Sequence, residues 1–248
     1  MTRRRFLAAG AGATAALTGA TALTGCGTGD GPRPVTPEEA QQLALVRLSA
    51  YEHSPAALRV RIPGPAGTTT VDGVLDYRTR RASGTYAVPG GAGSPGARGE
   101  LAWDDRTVSV NPAGGSPRWS GRAYTRAPLD RALLLTLQLG HDRPENAQLL
   151  AQNGAVRLGR RQLDGVDCTV FGGPRPPRRD RAAAPASPLS YWVDAGGGLR
   201  RVEARLDPQG PPVTVDFRGR APAAGGGVAA GAGHPAPAVG PQRPAGSR

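Results

Sequence analysis

The chain has 248 residues, 38% of them hydrophobic, 20% charged and only 4% aromatic, which suits one packed core and one domain. Its net charge of +12 would fit nucleic acid, yet all 31 basic residues are arginine, scattered singly along the chain. With Ala, Gly and Pro in excess, that pattern looks like the coding bias of a GC-rich genome. It argues against a nucleic-acid partner and for a weak attraction to anionic headgroups or cell-wall polymers.

The first 26 residues read as an export signal closed by a lipobox. Arg3-Arg4-Arg5-Phe6-Leu7 supplies a positive n-region resembling a twin-arginine signal. An Ala-, Gly- and Thr-rich apolar run follows and stops at Leu23-Thr24-Gly25-Cys26. Cleavage before Cys26 and acylation of its thiol are expected, with an uncleaved membrane anchor as the competing outcome because the run approaches spanning length. Two or three acyl chains would anchor the protein stably to the outer face of the cytoplasmic membrane. Acylation would leave Cys168 as the second and lone cysteine. The alternation of Val166-Asp167-Cys168-Thr169-Val170 predicts a half-buried strand with the sulfur on the apolar face. A Cys26 to Cys168 disulfide would require the lipobox to be false.

Residues 26–35 read as a tether. Thr36-Pro37-Glu38-Glu39 then combines a capping threonine, proline at the first helical position and a glutamate three residues past the cap. Ala40, Leu43, Ala44, Leu48 and Tyr51 follow at helical spacing, predicting a helix to about His53. From Ala57 the period becomes two, first through Leu58, Val60 and Ile62, then through Val71, Gly73, Leu75 and Tyr77. Thr85 to Val88, Glu100 to Trp103 and Thr107 to Val110 are further short strands, with a Gly- and Pro-rich loop over 89–99.

Leu129, Leu133, Leu134 and Leu137 form one face of a helix over 128–140, widened by Leu135 and Leu139. Asp142-Arg143-Pro144-Glu145 repeats the cap-and-glutamate start signal and Asn153-Gly154 supplies a stop, so a second helix is expected after Asp142. Strands return over 156–161, 166–171, 189–194, 199–206 and 213–218, separated by Asp164-Gly165, Ala195 to Gly198 and Asp207 to Gly210. Val202, Ala204 and Leu206, and likewise Val213, Val215 and Phe217, make dry faces. The Pro- and Arg-rich stretch 172–187 and the acid-free tail 219–248 lack the composition of a packed core. The folded domain is thus bounded at 36–218.

Chemistry-bearing motifs are few. Gly10-Ala11-Gly12 mimics a dinucleotide fingerprint but lies inside the export signal with no strand before it. His53 and His141 end or separate helices and His234 lies in the tail, while Asp72 with Asp76 and Asp164 with Asp167 fall on strands or turns where a surface role is ordinary. No catalytic residue, metal ligand or cofactor is therefore expected. On a strand, Trp192 faces opposite to Tyr191 and either packs in the interior or touches a bound chain.

Leu163-Asp164-Gly165-Val166-Asp167-Cys168-Thr169-Val170, then Tyr191-Trp192-Val193-Asp194 and Gly198-Leu199-Arg200-Arg201-Val202, resemble the late strands of the mycobacterial glycolipid-binding lipoproteins of LolA-like fold. The resemblance runs over about Thr36 to Phe217 and is sharpest in the last third. It implies an α+β protein in which a strongly curved antiparallel sheet, an open half-barrel, is covered on its concave face by about three helices that leave a cavity for acyl chains. The Arg-rich loop and the tail depart from the family pattern. The expected function is a non-enzymatic lipoprotein that binds or carries a lipid, glycolipid or lipid-linked molecule. Leu133, Leu134, Leu137, Val202, Ala204, Val215 and Phe217 are candidates for lining the cavity or simply for building the core. Two other readings stand beside it: an envelope sensor or protein-interaction lipoprotein of the same fold without cargo, and a hydrolase joining a histidine to an acid.

Overall fold

The structure is a computed structural model that describes residues 31–91, 95–114, 118–174 and 187–221. The export signal, Cys26, the centre of the Arg-rich loop and the tail lie outside the described residues. Twelve strands form one antiparallel open sheet, and three helices complete an α+β architecture. In chain order these are β1 (Arg33–Pro34), α1 (Pro37–Glu52), β2 (Ala56–Gly64), β3 (Gly67–Asp76), β4 (Arg81–Val88), β5 (Ala97–Trp103), β6 (Thr107–Pro112) and β7 (Ser120–Ala123). They continue with α2 (Pro128–Gln138), α3 (Ala147–Gln152), β8 (Val156–Leu163), β9 (Val166–Gly172), β10 (Leu189–Asp194), β11 (Leu199–Ala204) and β12 (Val213–Arg220). The spatial order is β1-β8-β9-β10-β11-β12-β2-β3-β4-β5-β6-β7. Two simple meanders, β2 to β7 and β8 to β12, are joined by the β12–β2 pair, and β1 closes the far edge.

Helix α1 begins where its capping box lies. The Thr36 hydroxyl accepts from the Glu39 amide and the Glu39 carboxylate accepts from the Thr36 amide. The preceding residues are not free tether: Arg33 and Pro34 pair with Arg157 and Val156. Arg33 also forks onto both Glu39 oxygens at 2.7 Å. Strand β7 and the extra length of β4 and β5 were not expected, because Ser120-Gly121-Arg122-Ala123 has no apolar alternation. Backbone pairing with β6 holds that edge strand.

Helix α3 starts later than the Asp142 signal predicts. Asn146 is its cap, accepting from the Leu149 amide. Pro144 disfavours a helical conformation at Arg143. The next residue is drawn to α1, where the Glu145 amide donates to the Ala44 carbonyl at 2.9 Å and its carboxylate takes Arg47 at 2.7 Å. Gly140, at the end of α2, has no room for a side chain, since a Cβ there would lie 2.5 Å from the buried Tyr77 ring.

Alternate residues of β2 (Ala56, Leu58, Val60, Ile62) and of its neighbours share one face. Directly opposed partners continue that face in both directions, through Val71, Leu101, Trp103 and Val108 on one side and through Val215, Val202, Tyr191 and Phe171 on the other. Leu43 and Val46 of α1, Leu133 and Leu137 of α2, and Leu150 of α3 join them in a single core. Helix α2 packs on β2 and β3, α1 on β11, and α1 and α3 on each other. A hydrogen bond from the Trp103 indole to the Thr136 hydroxyl, 3.2 Å long and wholly buried, pins α2 to β5.

Candidate functional site

The seven candidate lining residues all lie on or under the helix-covered face. Leu133, Val202 and Val215 have no exposed surface, Leu137 and Ala204 almost none, and Phe217 little. Leu134 is partly buried against the same core. The side chains come from α2, β11 and β12, so the structure brings these elements to one apolar face. In that arrangement each of them packs as a core residue.

Three polar atoms are buried without a partner among the described residues: Arg47 Nε, Tyr77 Oη and Trp192 Nε1. Arg47 and Tyr77 flank the same stretch of chain. The Tyr77 ring lies against Gly140, and the following amide, that of His141, donates to the Arg47 carbonyl at 3.0 Å. Burial pushes the Tyr77 hydroxyl far up and that of Tyr191 up to about 12, so both remain donors at any physiological pH. A buried donor without an acceptor destabilises by about 1–3 kcal/mol, and this seam between α1, the α2–α3 connection and the sheet holds two of them, whereas the buried Ser54, Asp130 and Thr136 are hydrogen-bonded. Sequence reasoning missed it, because a tyrosine at helix- or strand-periodic spacing looks like any core residue.

The opposite face of the sheet is polar and has its own order. Trp192, Arg201, Asp216, Arg59, Asp72, Thr85, Glu100 and Asn111 are successive direct partners across eight strands. Arg201 and Arg61 both reach Asp216, at 2.6 and 2.7 Å, and Arg59 pairs with Asp72. Asn111 donates to Glu100 at 2.9 Å, and the Arg201 guanidinium lies 5.3 Å from the centre of the Trp192 ring. Cross-strand opposition of unlike charges is the sheet's form of pairing, and it accounts for these arginines without a ligand. Two concavities open on this face, one of about 500 Å³ beside Asp72, Thr85 and Glu100 and one of about 630 Å³ at the β3–β4 and β5–β6 turns.

Cys168 is a free, buried thiol, but on this second face and not on the apolar one. In β9 the core residue is Phe171, and strand alternation sends Cys168 and Val170 to the other side. The sulfur is 3.7 Å from the Val166 carbonyl, and burial, reinforced by Asp194, pushes the thiol up, away from the reactive thiolate.

His53 and His141 do not meet an acid in a pocket among the described residues. His53 Nδ1 is 2.7 Å from the Ser49 carbonyl, and His141 Nδ1 accepts from the Arg143 amide beside exposed Asp142. His234 lies outside the described residues. Asp72 is engaged by Arg59, Asp76 by Ser54, Thr79 and the Arg78 amide, and Asp164 and Asp167 are exposed. Among the described residues no group of three or more His, Cys, Asp or Glu could hold a metal ion, and no helix is long and apolar enough to cross a membrane. No protein-family model matches the chain, and no curated protein matches it significantly.

Proposed function

We propose that the chain is a lipoprotein moored through acylated Cys26 to the outer face of the cytoplasmic membrane, binding a lipid or lipid-linked molecule between helices and sheet. One observation carries this reading: a twelve-stranded open sheet with one continuous apolar face and, at the seam with the helices, two buried polar atoms without partners, Tyr77 Oη and Arg47 Nε. The apolar face suits acyl chains, and the two donors suit the oxygen of a headgroup or glycosidic linkage. Helix withdrawal over the concave side of a half-barrel would be the entry route. Because a bilayer solvates acyl chains as well as a protein interior does, such a carrier holds its cargo loosely.

The second reading is an envelope protein-interaction module of the same fold without cargo. It is favoured by the close burial of six of the seven candidate residues, and by two sizeable concavities that lie on the polar face. Mass spectrometry of organic extracts from the protein purified out of native membranes separates the two. The carrier reading expects a stoichiometric co-purifying lipid that is reduced several-fold in Tyr77→Phe. Extracts carrying no more lipid than a control membrane protein would leave the interaction module.

A further inference from the structure

The seam beside α1 runs inward from an ion pair. Arg47 Nη1 holds Glu145 at 2.7 Å, and both side chains reach solvent, 27% and 33% exposed, while Arg47 Nε behind them is buried and meets no protein acceptor among the described residues. Tyr77 lies deeper, 5% exposed, and its hydroxyl is equally unpartnered. The two groups are close enough to interact, since the Arg47 charge favours ionisation of the Tyr77 hydroxyl against the stronger push of burial. One N–H and one O–H are thus left unmatched behind a surface ion pair.

Electrostatics select the acceptor that suits them. Arg47 and Glu145 are neutral as a unit, and Glu145 adds to burial in pushing the Tyr191 hydroxyl up, so its negative charge is felt inside the seam. An anionic phosphate brought to Arg47 Nε would meet that carboxylate at close range in a poorly screened interior. A lipid hydroxyl would bring a proton needing an acceptor of its own, and the nearby Ala44 and Arg47 carbonyls already accept from the Glu145 and His141 amides. A carbonyl oxygen has two lone pairs and brings no proton. Hydrocarbon attached to it finds apolar surroundings, because Val46 and Leu139, the chain neighbours of Arg47 and Gly140, belong to the core.

We propose that Arg47 Nε and Tyr77 Oη donate to the uncharged ester carbonyl of an acylated lipid, and that the seam disfavours a phosphate. Recognition of this kind rests on the carrier reading, and it falls on the linkage between acyl chain and headgroup rather than on the headgroup.

The full chain carrying Cys26→Ser, freed of lipid on a hydrophobic resin, is mixed with vesicles of diether phosphatidylcholine doped with one probe at a time. The probes are dioleoylglycerol, its dioleyl diether counterpart without carbonyls, and that diether with a phosphate in place of its hydroxyl. Mass spectrometry reads the probe retained by the protein after gel filtration. The diester should bind roughly threefold to tenfold tighter than either diether, the worth of one ordinary hydrogen bond. Tyr77→Phe should bring the diester to the level of the diethers and leave theirs unchanged. Arg47→Lys, which keeps a positive charge for Glu145 but lacks the Nε–H, should do the same. In the lipid-free protein Tyr77→Phe should instead raise the urea midpoint, because it deletes a buried donor without an acceptor. Equal binding of diester and diether, tightest binding of the diether phosphate, or an equal loss for all three probes in Tyr77→Phe would overturn the assignment. So would a lowered urea midpoint, which marks a hydroxyl already matched by bound water. A parent chain that retains none of the probes would instead remove the carrier reading itself.

Discussion

At the residue scale, Asp130 shows how a helix without a capping side chain is started. Ala127 precedes α2 and offers no side-chain acceptor. Asp130, in the first turn, reaches back to the Thr125 amide and hydroxyl, both at 2.7 Å, and takes the Arg122 fork while having no exposed surface. Burial alone would raise its carboxyl. The Arg122 and Thr125 donors outweigh burial and hold it down at about 2. A carboxylate whose folded value lies below its unfolded one stabilises above the unfolded value and ceases to do so as pH falls through the folded one. Asp130→Asn is therefore expected to lower unfolding free energy by about 2 kcal/mol at neutral pH. In urea titrations that difference should be constant above about pH 4 and shrink as pH falls toward about 2. A difference independent of pH would mean that the charge is not what stabilises the turn.

At the scale of elements, Glu39 ties three of them together. Its carboxylate caps α1 through the Thr36 amide, receives both Arg33 nitrogens from β1, and lies 3.4 Å from Arg157 of β8. Burial works against the charged form, but the Arg33 and Thr36 donors prevail and keep the carboxyl below its ordinary value. Glu39→Ala should cost about 2 kcal/mol. Hydrogen exchange should then quicken at the β1–β8 pair and the first turn of α1 while α2 amides are unchanged. Unaltered exchange at β1 would show that its two backbone pairings hold that edge alone. The start of α1 was legible because a capping box is local, four residues in sequence. The start of α3 was not, because Glu145 answers to Ala44 and Arg47, about a hundred residues away.

On the scale of the whole molecule, one core joins both meanders. Phe171 and Tyr191 at one side of the sheet and Trp103 and Val108 at the other belong to it, with α1 and α2 bridging between them. Trp103 lies in that core under α2, and Trp192 lies on the opposite face of β10. Urea unfolding followed by tryptophan emission and by far-ultraviolet circular dichroism should therefore give coincident single transitions. Two separated transitions would show that β4 to β7 unfold apart from the rest. Joining the two meanders takes the β12–β2 pair, and β1 adds to β8, each across more than a hundred residues of chain, so folding slower than that of a helical protein of this length is implied.

Alternation, turns and capping residues were enough to determine most elements here: α1 from Thr36, the one-sided strands around Val60, Val202 and Val215, and the Asp164-Gly165 hairpin. Each is a property of a few adjacent residues, so no partner needs to be known. Where strand β12 pairs, which side of β9 holds Cys168, that Arg33 and Pro34 form a strand, and that Arg61 shares Asp216 with Arg201 were decided only in three dimensions. So was the gathering of Tyr77, Gly140 and Arg47. These depend on burying one continuous apolar face, a quantity summed over the entire sheet, and no window of sequence contains that sum.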